Sequence, residues 1–195
     1  NKNLKINWEC NARVNRIDES LLEEMKSAGC NSIKVGIESG CDRVLKTIMK
    51  KRITTTQIKR AARLINKVGI HWTGYFLMGI PTETKQEMLQ TLNLMLHIKP
   101  DFASLSVFEP YPGTELHDMG IAAGYMIDDR TLDDYYSISP KYYFMKCSDN
   151  RIDTMTNEEL IQIEKYLKAS FHRYNRGTAR IFKRAKARSI LYRKK

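Results

Sequence analysis

Several sequence features that define other protein classes are missing from these 195 residues. The four cysteines are separated by 20, 11 and 106 positions, so no pair has the spacing of a zinc knuckle. No apolar run is long enough to span a bilayer, and the sequence shows no secretory signal. We therefore predict a cytoplasmic protein with reduced thiols and no set of metal ligands within this sequence.

Acidic residues are absent from residues 165–195, whereas this segment holds twelve of the 33 Lys and Arg. The net charge of +11 originates here, because residues 1–164 carry 21 basic and 22 acidic side chains. Aromatic residues are interleaved with the cations, which favours a non-catalytic module that binds RNA or an anionic membrane through this tail. A basic terminus that is simply solvated explains the same composition.

Strand and helix patterns alternate along the first part of the chain. Alternating apolar residues predict strands over 4–12, 32–38, 70–78 and 102–108, and each is followed by a helical pattern. Such alternation calls for parallel strands with right-handed crossovers. Capping boxes mark the starts of three helices, at Thr54 with Gln57, Thr84 with Glu87 and Thr156 with Glu159.

Helical spacing also predicts which side chains are buried. The first helix would bury Leu21, Leu22, Met25 and Ala28, and the helix after Thr84 would bury Met88, Leu92, Met95 and Leu96. The last boxed helix would bury Leu160, Ile163, Leu167 and Phe171.

One face of the predicted strands is polar. Parallel strands that helices cover on both faces are apolar on both, whereas this face carries Asn7, Glu9, Asn11, Lys34, Gly36, Glu38, Ser104 and Ser106. A polar inner face suits a barrel that holds a ligand, and four units are too few to close one. We therefore predict an α/β fold with a partial (β/α) barrel arc over residues 1–123. An irregular connection over 124–155 and a basic, helical C-terminal extension over 156–195 complete the predicted organisation.

Residues 32–51 are the centre of this pattern. The strand breaks at Ser39-Gly40, so Glu38 lies at a carboxyl strand end, where strand–helix folds hold their ligands. A carboxylate there accepts hydrogen bonds from hydroxyl or amino groups of a ligand. An acidic helix cap without a ligand is the alternative. The residues after the turn predict a short helix with one apolar face, formed by Val44, Leu45 and Ile48.

Five motifs then occur in a fixed order. They are WECNAR at 8–13, MKSAGCNSIKVGIESG at 25–40, VLKTIMKK at 44–51, GYFLMGIPTET at 74–84 and PYPGTEL at 110–116. In this order and spacing the chain resembles the radical S-adenosylmethionine (SAM) enzymes, and it is similar to the branch that includes the magnesium-protoporphyrin cyclases. The resemblance implies a (β/α)6 barrel, of which the four predicted strands are the third to sixth.

The resemblance also implies roles for residues around the predicted Glu38 site. Glu38, followed by Ser39, matches the carboxylate that binds the ribose hydroxyls of SAM. Lys50 matches a basic residue that holds the methionine carboxylate, and Arg13 is placed to approach the same end. From the residues alone, Lys50 is equally well explained as the solvated end of a helix. Arg13 is explained as the ion-pair partner of Glu9 or Asp18.

A second group of residues matches the adenine side of the family's SAM site. The strand that contains Phe76, Met78 and Gly79 matches the one whose backbone passes the adenine, and Val107 and Phe108 match the neighbouring strand edge. The alternatives are that Phe76 and Met78 are ordinary core residues and that Gly79 only shapes a turn.

The implied cofactors are SAM and a 4Fe–4S cluster, with cobalamin as a further cofactor whose domain would lie upstream. The family holds its cluster with C-x3-C-x2-C, and these 195 residues contain no such motif. We therefore expect the C-terminal portion of an enzyme that acts on a small-molecule substrate, inactive alone and with no catalytic residue assigned. The open edge at residues 4–12 predicts either a homodimer through that edge or a covering of the edge by the chain's own tail.

Overall fold

The computed structural model describes residues 6–109, 111, 113–122 and 152–177. Its elements are β1 (Trp8–Ala12), α1 (Glu19–Ser27), β2 (Cys30–Glu38), α2 (Thr55–Val68), β3 (His71–Met78), α3 (Lys85–Ile98), β4 (Phe102–Val107), α4 (Glu115–Ala122) and α5 (Asn157–Asn175). The predicted alternation of strands and helices is confirmed. Most of the predicted irregular connection and the basic tail from position 178 lie outside the described residues.

The four strands form one parallel sheet in the order β1-β2-β3-β4. Val35 of β2 lies between Ala12 of β1 and Gly74 of β3, and Tyr75 of β3 is opposite Ser104 of β4. Each strand therefore pairs with its neighbour in the sequence. Strands that step across a sheet in chain order, each separated by a helix, are the successive units of a barrel wall. The predicted barrel arc is confirmed.

The two faces of this sheet differ in polarity because side chains alternate along each strand. Helices cover one face, where the buried residues include Ile33, Val35, Trp72 and Phe76. The other face carries exposed and half-buried residues, among them Asn11, Lys34, Tyr75 and Ser104. The predicted polar face is therefore confirmed, and it is the face that a barrel turns toward its interior.

Capping boxes start three helices, as predicted. The Thr54 hydroxyl accepts the N–H of Gln57 at 3.2 Å, and the Gln57 side chain accepts the N–H of Thr54 at 2.9 Å. The same motif begins α3 and α5, formed by Thr84 with Glu87 and by Thr156 with Glu159. These bonds satisfy N–H groups that have no partner inside the helix. The helix starts are thus set by local sequence.

Helix α5 covers the β4 side of the sheet. Phe171 meets Phe76 edge to face with ring centroids 5.3 Å apart. The predicted apolar face of α5 is confirmed, since Leu160, Ile163, Leu167 and Phe171 are all buried. None of the helices within the described ranges is long and apolar enough to cross a membrane.

A side chain of α5 bonds the backbone at the outer edge of β4. The Asn175 carboxamide accepts the N–H of Ala103 at 2.9 Å and donates to the Ala103 carbonyl at 2.7 Å. A carboxamide has the same donor and acceptor pair as a peptide group, so Asn175 replaces one residue of a neighbouring strand. The other edge, β1, pairs only with β2 among the described strands. The homodimer through that edge stays a prediction.

The structure corrects four details of the predicted helices. Leu21 and Leu96 are 41% and 47% exposed rather than buried, because each lies about 100° around the helix from a buried neighbour, Leu22 or Met95. Ala28 is exposed as well, because it is the C-cap that follows the last turn of α1. The short helix predicted after Gly40 is a wide turn of π-helical form at Val44–Ile48.

Candidate functional site

The carboxyl ends of the four strands gather at one edge of the sheet. They end at Ala12, Glu38, Met78 and Val107. Because the strands are parallel, the residues that follow them lie on the same side of the sheet, where α/β folds bind ligands. Every predicted site residue comes from one of these strand ends or from the loop after it.

A cavity of about 720 Å³ opens beside the ends of β1 and β2. Its lining consists of residues 12–15, Gly36 and residues 49–53. This volume falls within the usual range of small-molecule sites, roughly 300–1,000 Å³. Among the described residues, no acidic side chain lines the cavity, whereas four cationic ones do: Arg13, Lys50, Lys51 and Arg52. The cavity therefore suits a ligand with an anionic group.

Glu38 has an unusual backbone conformation next to this cavity. Its φ of +65° lies in the left-handed region, which costs a residue with a Cβ roughly 1–2 kcal/mol. The β2–β3 register shifts at the same point, between Gly36 and Glu38, and such bulges re-aim side chains. Lys50 and Arg52, in the lining, are also left-handed, with φ of +50° and +53°. Strain of this kind concentrates at ligand-binding sites.

Lys51 holds the Glu38 carboxylate in place. Its Nζ lies 2.5 Å from Glu38 Oε1 and donates to the Gly36 carbonyl at 2.8 Å. A Cβ at Gly36 would lie 2.4 Å from Glu38 Oε1 and 3.1 Å from Lys51 Nζ, so the arrangement depends on this glycine. Both side chains are mostly buried, at 27% and 20% exposure. One carboxylate oxygen is thus occupied, and within the described residues Oε2 has no hydrogen-bond partner.

Lys50, the cation that the resemblance matched to the methionine carboxylate, forms an ion pair with a residue of α4. Its Nζ lies 2.5 Å from a carboxylate oxygen of Glu115, and both side chains are more than half exposed. Lys50 therefore lines the cavity without touching Glu38. Sequence analysis assigned no role to Lys51, and the only signal for it was its place next to Lys50 in the pair that follows the turn.

Arg13 follows β1 directly and is exposed at the cavity. Neither partner that the sequence suggested is bound to it. Glu9 pairs with Lys34, and Asp18 accepts the N–H of Leu21 at 2.9 Å as the cap of α1. That bond lowers the pKa of Asp18. Arg13 thus reaches the cavity without an ion pair to the described residues.

Three of the predicted residues turn their side chains away from the cavity. Ser39 is fully buried, where its hydroxyl accepts the N–H of Cys41 at 3.1 Å and lies 3.4 Å from the Thr91 hydroxyl. Phe76 and Met78 are buried under the helices. For Phe76 and Met78, contact with a ligand in the barrel interior is therefore left to the backbone, which is the role that the resemblance implies for this strand.

The remaining predicted residues form the ends of β3 and β4. The Phe108 N–H donates to the Met78 carbonyl at 2.7 Å. Gly79 has a φ of +73°, and a Cβ there would lie 3.6 Å from Val107. Phe108 also packs on a small apolar cluster that includes Met49, which lines the cavity. An apolar wall therefore adjoins the cationic cavity, and its contact with adenine stays a prediction.

An arginine clamp joins the loops that follow β2 and β3. Arg43 Nε and Nη2 bond the Glu87 carboxylate at 2.7 and 2.8 Å, and Nη2 also donates to the Thr82 carbonyl at 2.7 Å. The Cys41 thiol donates to Glu87 at 3.1 Å. The Arg43 bonds lower the pKa of Glu87 to about 2, so the pair stays ionised. Sequence analysis found only the capping role of Glu87, because the partner is 44 positions away.

No metal centre is present among the residues that the structure describes, since no three of their His, Cys, Asp and Glu side chains are grouped as ligands. The three cysteines in the described ranges are free thiols. Burial raises the pKa of Cys30 to about 11 and also raises the pKa of Cys41, which disfavours the thiolate that binds iron. These residues do not fit a 4Fe–4S cluster.

Parallel strands, a polar inner face and a cationic cavity at the strand ends define an α/β protein with a partial barrel arc and a candidate ligand site. Residues 1–95 match the family model of the Radical SAM superfamily. This part of the chain belongs to that superfamily.

Curated relatives match more than half of the chain. An uncharacterised methyltransferase of Pyrococcus horikoshii is 37% identical over 119 residues, which are 61% of this chain and 26% of that protein. The anaerobic magnesium-protoporphyrin IX monomethyl ester cyclase of Cereibacter sphaeroides is 31% identical over 114 residues, which are 57% of this chain and 18% of that protein. The matched part thus spans about a quarter or less of these relatives' own length.

Solved structures show the same fold at low sequence identity. The coproporphyrinogen III oxidase HemN of Escherichia coli, a radical SAM enzyme, aligns with a TM-score of 0.55 over 84% of this chain and 32% of its own, at 13% identity. The radical SAM methyltransferase TsrM of Kitasatospora setae aligns with a TM-score of 0.53 over 92% of this chain and 44% of its own, at 14% identity.

Proposed function

We propose that this chain forms part of the SAM site of a radical SAM enzyme. The observation that carries the proposal is the strained, bulged position of Glu38, whose carboxylate is fixed on one oxygen by Lys51. The other oxygen accepts a ribose hydroxyl of SAM, and a cation of the cavity binds the methionine carboxylate. Lys50 and Arg13 are the cations that the family resemblance assigns to this end of the ligand.

The remaining contacts follow from the strand ends. The backbone of Met78 and Gly79 passes the adenine, and the apolar cluster that includes Phe108 excludes water from its face. When bound, SAM supplies a 5′-deoxyadenosyl radical after reductive cleavage at a 4Fe–4S cluster. The ligands of that cluster lie outside these 195 residues, which contain no C-x3-C-x2-C motif. The chain alone therefore binds SAM without cleaving it.

The relatives support a reaction on a small-molecule substrate. They include an uncharacterised methyltransferase and a magnesium-protoporphyrin ester cyclase, and a structural neighbour binds cobalamin. We propose that the parent enzyme is cytoplasmic and catalyses radical methylation or cyclisation, with cobalamin as a second cofactor.

Equilibrium dialysis with SAM tests the binding role of Glu38. We expect Glu38→Gln to weaken binding by about tenfold or more, because a hydrogen bond to a charged acceptor contributes roughly 1.5–3 kcal/mol. Lys51→Met removes the ammonium group that bonds the Glu38 carboxylate, so this variant should weaken SAM binding as well. The matched controls are Glu23→Gln and Lys46→Met, two exposed side chains away from the cavity, which should bind as the wild type does. Wild-type binding in Glu38→Gln would refute the role of this carboxylate.

Anaerobic reconstitution with iron and sulfide tests the second part of the proposal. We expect less than one iron per chain, and no 5′-deoxyadenosine on reduction with SAM, because no three His, Cys, Asp or Glu side chains of the described residues are grouped as ligands. Four irons per chain with SAM cleavage would contradict this expectation. The alternative function, RNA or membrane binding by the tail, would instead appear as binding that falls steeply with salt.

A further inference from the structure

The cavity beside Glu38 holds more positive charge than SAM requires. Its four cationic side chains belong to two groups. Lys51 and Lys50 are neutralised by Glu38 and Glu115, at 2.5 Å in each pair. The guanidinium groups of Arg13 and Arg52 have neither an ion pair nor a hydrogen bond to the described residues. Within the described part of the chain, the cavity wall thus has two positive charges without a partner.

SAM does not neutralise these charges. It carries a sulfonium, an ammonium and one carboxylate, so its own net charge near pH 7 is positive. One cation of the cavity is enough for that carboxylate. A cationic ligand next to two unpaired guanidinium groups is electrostatically unfavourable unless an anion shares the cavity. The volume of about 720 Å³ leaves room for a second group.

The backbone fixes where Arg52 stands. Its φ of +53° is left-handed, and the residue is held between Lys51, bonded to Gly36, and the buried Ile53. Arg13 is fixed from the other strand, because it begins the short turn Val14–Arg16 immediately after β1. The two guanidinium groups therefore come from separate, well-anchored segments of the same cavity. Planar guanidinium groups in such pairs bind phosphates and carboxylates with two hydrogen bonds each.

We infer that Arg13 and Arg52 bind an anionic group of the enzyme's substrate, a phosphate or a carboxylate, beside SAM. This inference rests on the proposed SAM site and assigns the substrate class of that same cavity. It moves Arg13 from the SAM carboxylate, which Lys50 alone then binds, to the substrate. Its distinctive consequence is that anion and SAM bind together and strengthen each other, since each reduces the charge repulsion that the other experiences.

Isothermal titration calorimetry of the 195-residue chain at low salt tests the inference, with inorganic pyrophosphate as the probe. We expect one saturable site per chain and an affinity that rises about threefold or more when SAM is present. The double variant Arg13→Gln/Arg52→Gln should lose about tenfold or more of this affinity. The matched control is Arg60→Gln/Arg63→Gln, which removes two exposed charges from α2 and should change it by less than about twofold. Circular dichroism confirms that both double variants are folded.

Each outcome decides between the two assignments. Pyrophosphate binding that survives in Arg13→Gln/Arg52→Gln places the anion on other cations, such as those of residues 165–195, and overturns the inference. Competition between pyrophosphate and SAM overturns it as well, because the site would then be that of the methionine carboxylate. SAM binding without pyrophosphate binding overturns the inference and leaves the proposed function standing. Pyrophosphate binding without SAM binding overturns the proposed function, and with it the assignment of the anion to a substrate.

Discussion

The loop between β3 and α3 contains a carboxyl group that should make the stability of the protein depend on pH. The Glu83 side chain is fully buried. Its Oε2 accepts the Ile80 N–H at 3.2 Å, and its Oε1 has no hydrogen-bond partner among the described residues. Burial raises the pKa of Glu83 to about 8 and outweighs the backbone hydrogen bonds of Ile80 and Gly79, which lower it; the nearby Glu87 carboxylate adds a smaller increase. Glu83 is therefore protonated in the folded protein at pH 7.

The sign of the effect follows from the proton balance. Between the unfolded pKa, near 4.5, and the folded pKa, about 8, the folded protein keeps a proton that the unfolded chain has lost. Glu83 thus contributes stability that is fully present below pH 4.5 and is lost as the pH rises through 8. Each pH unit in this interval lowers the free energy of unfolding by about 1.4 kcal/mol, so the interval sets a ceiling of about 5 kcal/mol.

Urea denaturation at several pH values from 5.5 to 8.5, followed by circular dichroism, measures this loss. We expect the wild type to become less stable across the range and Glu83→Gln, which is neutral at every pH, to show a much flatter profile. The slope is the diagnostic quantity, because a buried glutamine also changes the absolute stability. Glu23→Gln, on the exposed side of α1, should keep the wild-type slope. An equal slope in wild type and Glu83→Gln would refute the reasoning.

Two further predictions concern glycine and asparagine positions. Gly36→Ala places a Cβ 2.4 Å from the Glu38 carboxylate, a side-chain end that can move, so we expect lost SAM binding in dialysis with a nearly unchanged melting temperature. Gly40→Ala instead meets a backbone carbonyl oxygen of α3 at 2.4 Å and should lower stability by about 1–3 kcal/mol in urea denaturation. The reverse pattern would contradict both assignments. Asn175→Ala removes both bonds to the Ala103 backbone and should cost about 1–3 kcal/mol; an unchanged urea midpoint would contradict this.

Local sequence specified most of the fold. The strand positions, the capping boxes and the apolar face of α5 all follow from neighbouring residues, because period and caps are local properties. The exposure of Leu21 and Leu96 could not be predicted from local sequence. Both are apolar and lie near a buried stripe, and only the packing of the neighbouring helices decides that they face solvent. The wide turn at Val44–Ile48 likewise depends on a contact outside the turn, because Lys51 returns to β2 and bonds the Gly36 carbonyl.

The residues of the candidate site were also predictable only in part. Glu38 was predictable because a strand, a break and a carboxylate are adjacent in the sequence. The choice of Lys51 over Lys50 was not, since neighbouring side chains point in different directions and only the backbone angles decide which one reaches β2. The Arg43–Glu87 clamp could not be predicted because its two residues are 44 positions apart in the sequence. Arg52 could not be predicted because only the backbone after the turn places it at the cavity.

The strand order has a consequence for how the protein folds. Every described strand pairs with the one made just before it, so the sheet can extend in the order in which the ribosome releases the chain, with short loops to close at each step. The Asn175–Ala103 contact is different, because it spans 72 positions. During synthesis β4 therefore pairs with β3 on one side, while the Ala103 backbone on its outer edge lacks its partner in the described structure until α5 is made. That interval is the time when the nascent sheet is most exposed to misassociation, and chaperone binding should be concentrated there.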